Sequence, residues 1–327
     1  MKHTFLIRLV IVMLLFGNCQ EPYLKFNPLA EEDIIEVPAV IEPQQSINDP
    51  QKCGLCSSDL ESKKTATQID VIEIPDDLPD NYDLSDDMPP VRSQGYQGSC
   101  SAWATTYYLK SYQEKIQYEY DYESYKDVMS PAFVYNQANA DTCCCDSGSS
   151  ISKILEILKT KGVNSWEEFP YSDSQCTNLP NETQLELAIK NKIEDYFSLG
   201  IPDTNTNPEY TLINLIKTLI YDQKPIVIGL DWPNLIFKNH DTEIIAYSYS
   251  ENPIVDCGHA VLIVGYDNEM NAFKFVNSWG TDWGNEGYGW IHFDFFLPID
   301  DNSFKNGLTQ AFVAYDVIEE TEDIESK

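Results

Sequence analysis

Hydrophobic positions change their spacing along the chain. Ser99 to Lys115 runs without Gly or Pro and reads as a helix opened by Ser99 as N-cap. Ile151, Ile154, Leu155 and Leu158 recur at helical intervals and predict a helix over 151–160, closed by Gly162. Tyr210 to Tyr221 reads as a third. Beyond Lys224 the apolar runs shorten and are separated by turn residues, so 225–230, 260–265, 273–276, 289–293 and 312–315 each predict a strand. Helices early and strands late imply an α+β protein in two lobes, with no internal repeat.

The ends follow neither pattern. Lys2 and Arg8 precede an apolar run from Leu9 to Phe16, then Gly17, Asn18 and Cys19. That run falls short of the roughly 20 residues a membrane-spanning helix needs, so residues 1–18 read as an export signal. Cys19 resembles the lipid-accepting cysteine of bacterial lipoproteins, although Asn18 departs from the usual small residue before it; the alternative is ordinary signal cleavage with Cys19 incidental. Residues 19–75 are acidic and Pro-rich without sustained periodicity and read as an extended, solvated tether. Within it, Cys53-Gly54-Leu55-Cys56 has the spacing of half a zinc site, but no second pair or His cluster stands near, so a local disulfide or two unrelated thiols is expected. A globular domain is expected over 76–318 and an acidic tail over 319–327, with the chain fraying from Asp316.

Charge narrows the function classes. The 327 residues carry 53 acidic and 21 basic side chains, a formal charge of −32. No surplus of Lys and Arg remains for a phosphate-binding stripe or for anionic lipid heads, which excludes nucleic acid and electrostatic membrane docking. Residues 20–90 hold 17 acids against four lysines, and six more acids follow from Asp316. Much of the charge therefore lies outside the chemical motifs and reads as solubility.

The strongest motif runs Gln94-Gly95-Tyr96-Gln97-Gly98-Ser99-Cys100-Ser101-Ala102-Trp103. Its glycines permit tight turns, and Cys100 falls in the first helical turn, where the helix dipole favours a thiolate. A nucleophilic thiol needs a base, and the chain offers His3, His240, His259 and His292. His259, in Asp256-Cys257-Gly258-His259 at the mouth of an apolar strand, has the scaffold to hold an imidazole towards a cleft. His3 lies in the export signal, and His240 and His292 have no such context. The Asn277-Ser278-Trp279-Gly280 run follows, where an amide oxygen could fix the imidazole's tautomer and an indole could shield that bond.

The order Cys100, His259, Asn277, with Gln94 six residues before the cysteine, resembles the papain family of cysteine peptidases from about Leu78 to Asp316. The resemblance implies a two-lobe α+β fold, a helical lobe carrying the nucleophile helix and a β-barrel-like lobe carrying the His and Asn. It implies Cys100 as nucleophile, His259 as the base that becomes an imidazolium in a resting ion pair with the Cys100 thiolate, Asn277 as orienting residue, and Gln94 with the Cys100 N–H as oxyanion donors. It further implies that Gly148, Gly258 and Trp279 border the substrate, and that Cys176 pairs with Cys143, Cys144 or Cys145. Cys257 would pair with another of that run or stay a thiol. A metal cluster at 143–145 is the sharper alternative, disfavoured because adjacent cysteines converge poorly on one ion. Two positions depart from the family: Gln97 stands where it has a disulfide cysteine, and Ser101 where it has an aromatic, a role Trp103 could take.

The expected function is peptide-bond hydrolysis through a thioester, without cofactor or metal, by an exported monomer anchored to the bacterial cell envelope through Cys19 or secreted. The alternatives are a silent papain-fold binding or adhesion module, and a related amidase or peptide ligase. The tether's length raises one more expectation, that it occludes the cleft.

Overall fold

The computed structural model describes residue 55 and residues 67–70, 72–139, 148–200, 211–232, 235–240, 243–248, 258–300, 303–304 and 308–317. All lie within one unit of the chain, Val40–Lys327.

The strand-forming half builds one sheet around β6 (Gly258–Asp267), whose residues 259–266 are all buried and therefore read as an almost unbroken apolar run. β6 lies between β3 (Ile226–Asp231) and β7 (Ala272–Val276), both antiparallel to it. Beyond β3 come β11 (Leu308–Asp316) and β2 (Ile193–Ser198). Beyond β7 come β8 (Tyr288–His292), β5 (Glu243–Ser248) and β4 (Leu235–His240), with β5 parallel to β8. β1 (Asn81–Asp83) joins β6 near its end, opposite Gly265. A Cβ at Gly265 would lie 2.7 Å from the Tyr82 carbonyl, so the missing side chain admits β1. β9 (Pro298–Asp300) and β10 (Ser303–Phe304) form a separate pair.

The expected first helix is a single helical run of three pieces: α1 (Cys100–Ala102), a π-helical stretch (Trp103–Lys110) and α2 (Ser111–Tyr118). Residues 100–112 are all buried, the signature of a helix inside the core. The Thr105 hydroxyl donates 2.7 Å to the Ser101 carbonyl, entering the backbone ladder where the helix widens. Ser99 makes no side-chain capping bond; its hydroxyl lies 2.8 Å from that of Tyr171, which takes it from the backbone.

The other helices open on side-chain caps. Ser130 accepts from Phe133 N ahead of α3 (Pro131–Ala138), and Ser150 from Lys153 N ahead of α4 (Ile151–Thr160), which stops before Gly162 at φ 76°. Asn181 and Gln184 form a capping box on α5 (Glu182–Ala188). α6 (Leu212–Tyr221) starts two residues later than expected because Thr211 takes the cap. α3 and α4 pack on each other and on the buried helical run, which packs on β6 and β3. One hydrophobic core spans both halves, the α+β arrangement expected from the pattern. Among the described residues, no helix is long and apolar enough to cross a membrane.

Two segments expected to be solvated are tied down. Residues 67–69 pair with the end of β2 (Ile69 N to Ser198 O, 3.0 Å; Ser198 N to Thr67 O, 2.9 Å), and Ile69, Ile72 and Ile74 pack half-buried on the core. The apolar members of this acidic stretch find a surface to cover. Asp316, expected to fray, ends β11 and binds the buried Lys110 ammonium at 2.6 Å, with Glu114 at 2.5 Å from the same nitrogen. Burial raises both carboxyls above their ordinary range while Lys110 opposes the shift.

Candidate active site

β6 delivers His259 one residue into the strand, opposite Leu230 of β3. β7 pairs with β6 as far as Val276, so Asn277 leaves the sheet beside it. Asn277 is fixed by its own N–H to the Gly287 carbonyl (2.9 Å) and by the Tyr108 hydroxyl to its carbonyl (2.9 Å). Its Oδ1 lies 2.8 Å from His259 Nε2 and also accepts the Ser278 N–H at 2.8 Å. An oxygen already accepting one N–H calls for a second donor, so His259 carries its proton on Nε2. Nδ1 is then the basic nitrogen, and it has no hydrogen-bond partner.

Aromatic rings enclose this imidazole. Trp279 lies 4.5 Å from it between ring centroids, tilted by 33°, and Trp232 lies edge-on at 4.7 Å. Trp232 and Trp279 also meet at 4.8 Å. His259 is fully buried, and this burial pushes its pKa down to about 4, partly opposed by the Asn277 hydrogen bond.

Cys100 begins α1, fully buried and outside any disulfide, on the helix that packs against β6. Gln94, also buried, is held on three sides. Its N–H donates to the Ser278 carbonyl (2.8 Å), its Oε1 accepts from the Ser278 hydroxyl (2.5 Å), and its Nε2 donates to the Gln97 carbonyl (2.8 Å). A bridge between Ser93 and Trp279 continues the seam. Ser101 donates 2.6 Å to the Ser149 carbonyl and so anchors the strip beside Gly148. Trp103 packs instead among Tyr107, Trp166 and Tyr171 in the helical half, because the helix turns its face that way.

Gly258 is covered by Leu55. Leu55 N donates to the Gly258 carbonyl at 3.0 Å in an antiparallel bridge, and the Leu55 side chain is buried. A Cβ on Gly258 would fall 2.8 Å from Leu55 Cβ, and one on Gly229 of β3 would fall 2.8 Å from Leu55 Cδ2. Two glycines therefore make room for this leucine one residue from His259.

His292 closes β8 beside Asp294 (Nδ1 to Oδ2, 3.4 Å), away from the site, and His240 ends β4, three strands from β7. His3, Cys19, Cys53, Cys56, Cys143, Cys144, Cys145 and Cys257 lie outside the described residues. Among the described residues, no group of three or more His, Cys, Asp or Glu side chains could hold a metal ion. Sequence reasoning missed Trp232, Ser278 and Tyr171 as neighbours of the site. Only Ser278 carried a signal, its place between Asn277 and Trp279.

Residues 78–295 match the family model described as papain family cysteine protease. The viral cathepsin of Heliothis zea nuclear polyhedrosis virus is 29% identical over 248 residues, 74% of this chain and 58% of that relative. The germination-specific cysteine protease 1 of Arabidopsis thaliana is 26% identical over 203 residues, 61% of this chain and 47% of that relative. The chain thus spans about half the length of these curated relatives. Among solved structures, xylellain, a cysteine protease from Xylella fastidiosa, superposes with a TM-score of 0.58 at 24% identity, covering 82% of this chain and 97% of that one.

Proposed function

The chain belongs to the papain family of cysteine proteases, and from that membership we propose that it hydrolyses peptide bonds through a Cys100 thioester. One observation carries the reading: His259 Nε2 is held by Asn277 at 2.8 Å while Nδ1 is left without a hydrogen-bond partner, on the strand that packs against the Cys100 helix. An imidazole so oriented can take the thiol proton on Nδ1. The Cys100 sulfur then attacks the scissile carbonyl, and a Gln94 side-chain N–H and the Cys100 backbone N–H donate to the oxyanion. His259 passes its proton to the leaving amine as the C–N bond breaks, leaving the thioester. Water, losing a proton to Nδ1, displaces the sulfur and releases the acid. Trp279 and Trp232 keep bulk water from the His–Asn bond, while Gly148 and Gly258 border the bound peptide. The reaction draws on no metal or cofactor.

The unit of function is proposed as residues 76–318, exported behind the signal of residues 1–18, tethered through residues 19–75 to a lipid on Cys19, with an acidic tail over 319–327, working as a monomer at the cell envelope. Cys176 is disulfide-bonded, which supports its proposed pairing with the 143–145 run. Leu55, bridged to Gly258, supports a tether that covers the cleft before activation.

The test compares iodoacetamide labelling at mildly acidic pH, and cleavage of a peptide library, across the parent, Cys100→Ala and His259→Ala. Fast labelling and cleavage that both substitutions abolish are expected. Labelling no faster than a free thiol, both in the parent and in Leu55→Asp, which removes the covering contact, overturns the nucleophile assignment. Fast labelling without cleavage overturns peptidase activity in favour of an amidase or ligase.

A further inference from the structure

Gln94 and Cys100 carry the two proposed oxyanion donors, and the segment between them folds back tightly. Gly95 adopts φ 60°, and a Cβ there would strike the Asp173 carboxylate at 2.3 Å. The ties come from one segment, residues 171–173. The Tyr171 hydroxyl donates 2.7 Å to the Gln94 carbonyl. Having spent its proton there, it accepts the Ser99 hydroxyl at 2.8 Å. Asp173 Oδ2 accepts the Tyr96 N–H at 3.1 Å, and the Gln97 side chain reaches the Ser172 carbonyl at 3.4 Å.

One phenolic oxygen therefore bridges the residue that bears the first donor and the residue immediately before the second. Its ring is wedged edge-on against Trp103 (5.1 Å) and beside Trp166 (5.6 Å), which fixes where the oxygen points. Burial raises the phenol well above its ordinary value, so it stays a donor at every working pH. Gln97 stands where the family resemblance expects a disulfide cysteine, and the hydrogen bonds of 171–173 brace the same loop.

We infer that Tyr171 is a positioning residue for the oxyanion hole, setting the separation of the Gln94 amide and the Cys100 N–H through the Gln94 carbonyl and Ser99. The inference rests on the thioester reading above, but it concerns a residue that touches no reacting atom.

Tyr171→Phe removes one oxygen and keeps the ring. Turnover of peptide and of an N-acyl amino acid p-nitrophenyl ester is measured with the full-length protein, alongside iodoacetamide labelling of Cys100, which forms no oxyanion. Losing one oxyanion donor outright costs about 100- to 1000-fold. A misplaced pair should cost roughly tenfold in kcat, with KM and labelling rate within twofold of the parent. Ser99→Ala, which leaves the ring untouched, should lower kcat in the same way. In a Gln94→Ala background Tyr171→Phe should lose most of its effect, because the donor it positions is gone. The inference is overturned by an unchanged kcat, by labelling that falls in step with kcat, or by a full loss in the Gln94→Ala background. A parent that turns over the ester but no peptide overturns the peptidase reading alone, and one inert to both, with Leu55→Asp inert as well, overturns the two together.

Discussion

Leu55 is the contact by which a cleft-covering tether can be tested. Its side chain is 8% exposed, and its N–H donates to Gly258 at 3.0 Å. Truncation to alanine removes three carbons from this seat, worth about 2 kcal/mol at ~0.8 kcal/mol per buried methylene. The backbone bond, worth about 1 kcal/mol net, survives the change. Two kcal/mol is roughly a 30-fold shift between covered and uncovered cleft. Where the covered form dominates, the rate at which a reagent reaches Cys100 scales with the uncovered fraction.

Iodoacetamide labelling of Leu55→Ala should therefore run up to roughly 30-fold faster than the parent, with peptide turnover rising in parallel. Leu55→Asp, which would bury a carboxylate there, should reach at least that rate. Substitution is cleaner than deletion of residues 20–75, because deletion also strips Ile69, Ile72 and Ile74 from the core. Equal labelling of parent, Leu55→Ala and Leu55→Asp would refute the covering role.

Two further predictions concern charge in the interior. Lys110→Ala leaves Glu114 and Asp316 buried without their cation and should cost about 3–5 kcal/mol at neutral pH by urea unfolding; because burial raises both carboxyls, the loss should shrink as acid neutralises them, and a pH-independent loss would contradict the ion-pair account. For His259 the folded value of about 4 lies below the ordinary 6.5, so between these values the unfolded chain binds a proton that the fold refuses; stability from this group is complete above pH 6.5 and lost towards pH 4, about 3 kcal/mol in all, and His259→Gln should flatten the parent's stability profile across that window.

The sequence made chemistry legible wherever a local pattern carried it. Cys100 follows a glycine-punctuated turn, and His259 and Asn277 stand at the ends of apolar runs that the sheet sets side by side. Helix α4 was legible because its apolar stripe faces one core. The rest depended on partners distant in sequence. Ser99 has the identity of an N-cap, yet Tyr171 claims its hydroxyl from 72 residues away. Leu55 is one apolar residue in an acidic stretch, and only the two glycines of β3 and β6 give it a seat. Asp316 belongs by composition to a solvated tail, but the Lys110 ammonium draws it in. β4 (LIFKNH) and β5 (EIIAYS) each hold only a short apolar run whose pairing no period announces, and α3 and α5 are too short for a helical period to emerge.

The same seam explains why function here should fail before folding does. Gln94 donates to the Ser278 carbonyl, Ser278 donates back to the Gln94 side chain, and Tyr108 reaches the Asn277 carbonyl. Each bond joins the helical half to the sheet half at the point where their candidate residues meet. Any one of them is worth about 1 kcal/mol, a small fraction of a stability resting on a core that spans both halves. Catalytic geometry is far less forgiving, since a displacement of about 1 Å can cost roughly 100-fold in rate. The two halves could slip by that much with the core still packed. The hydrogen bonds concentrated along this seam therefore set the register of the site, and the apolar core supplies the stability.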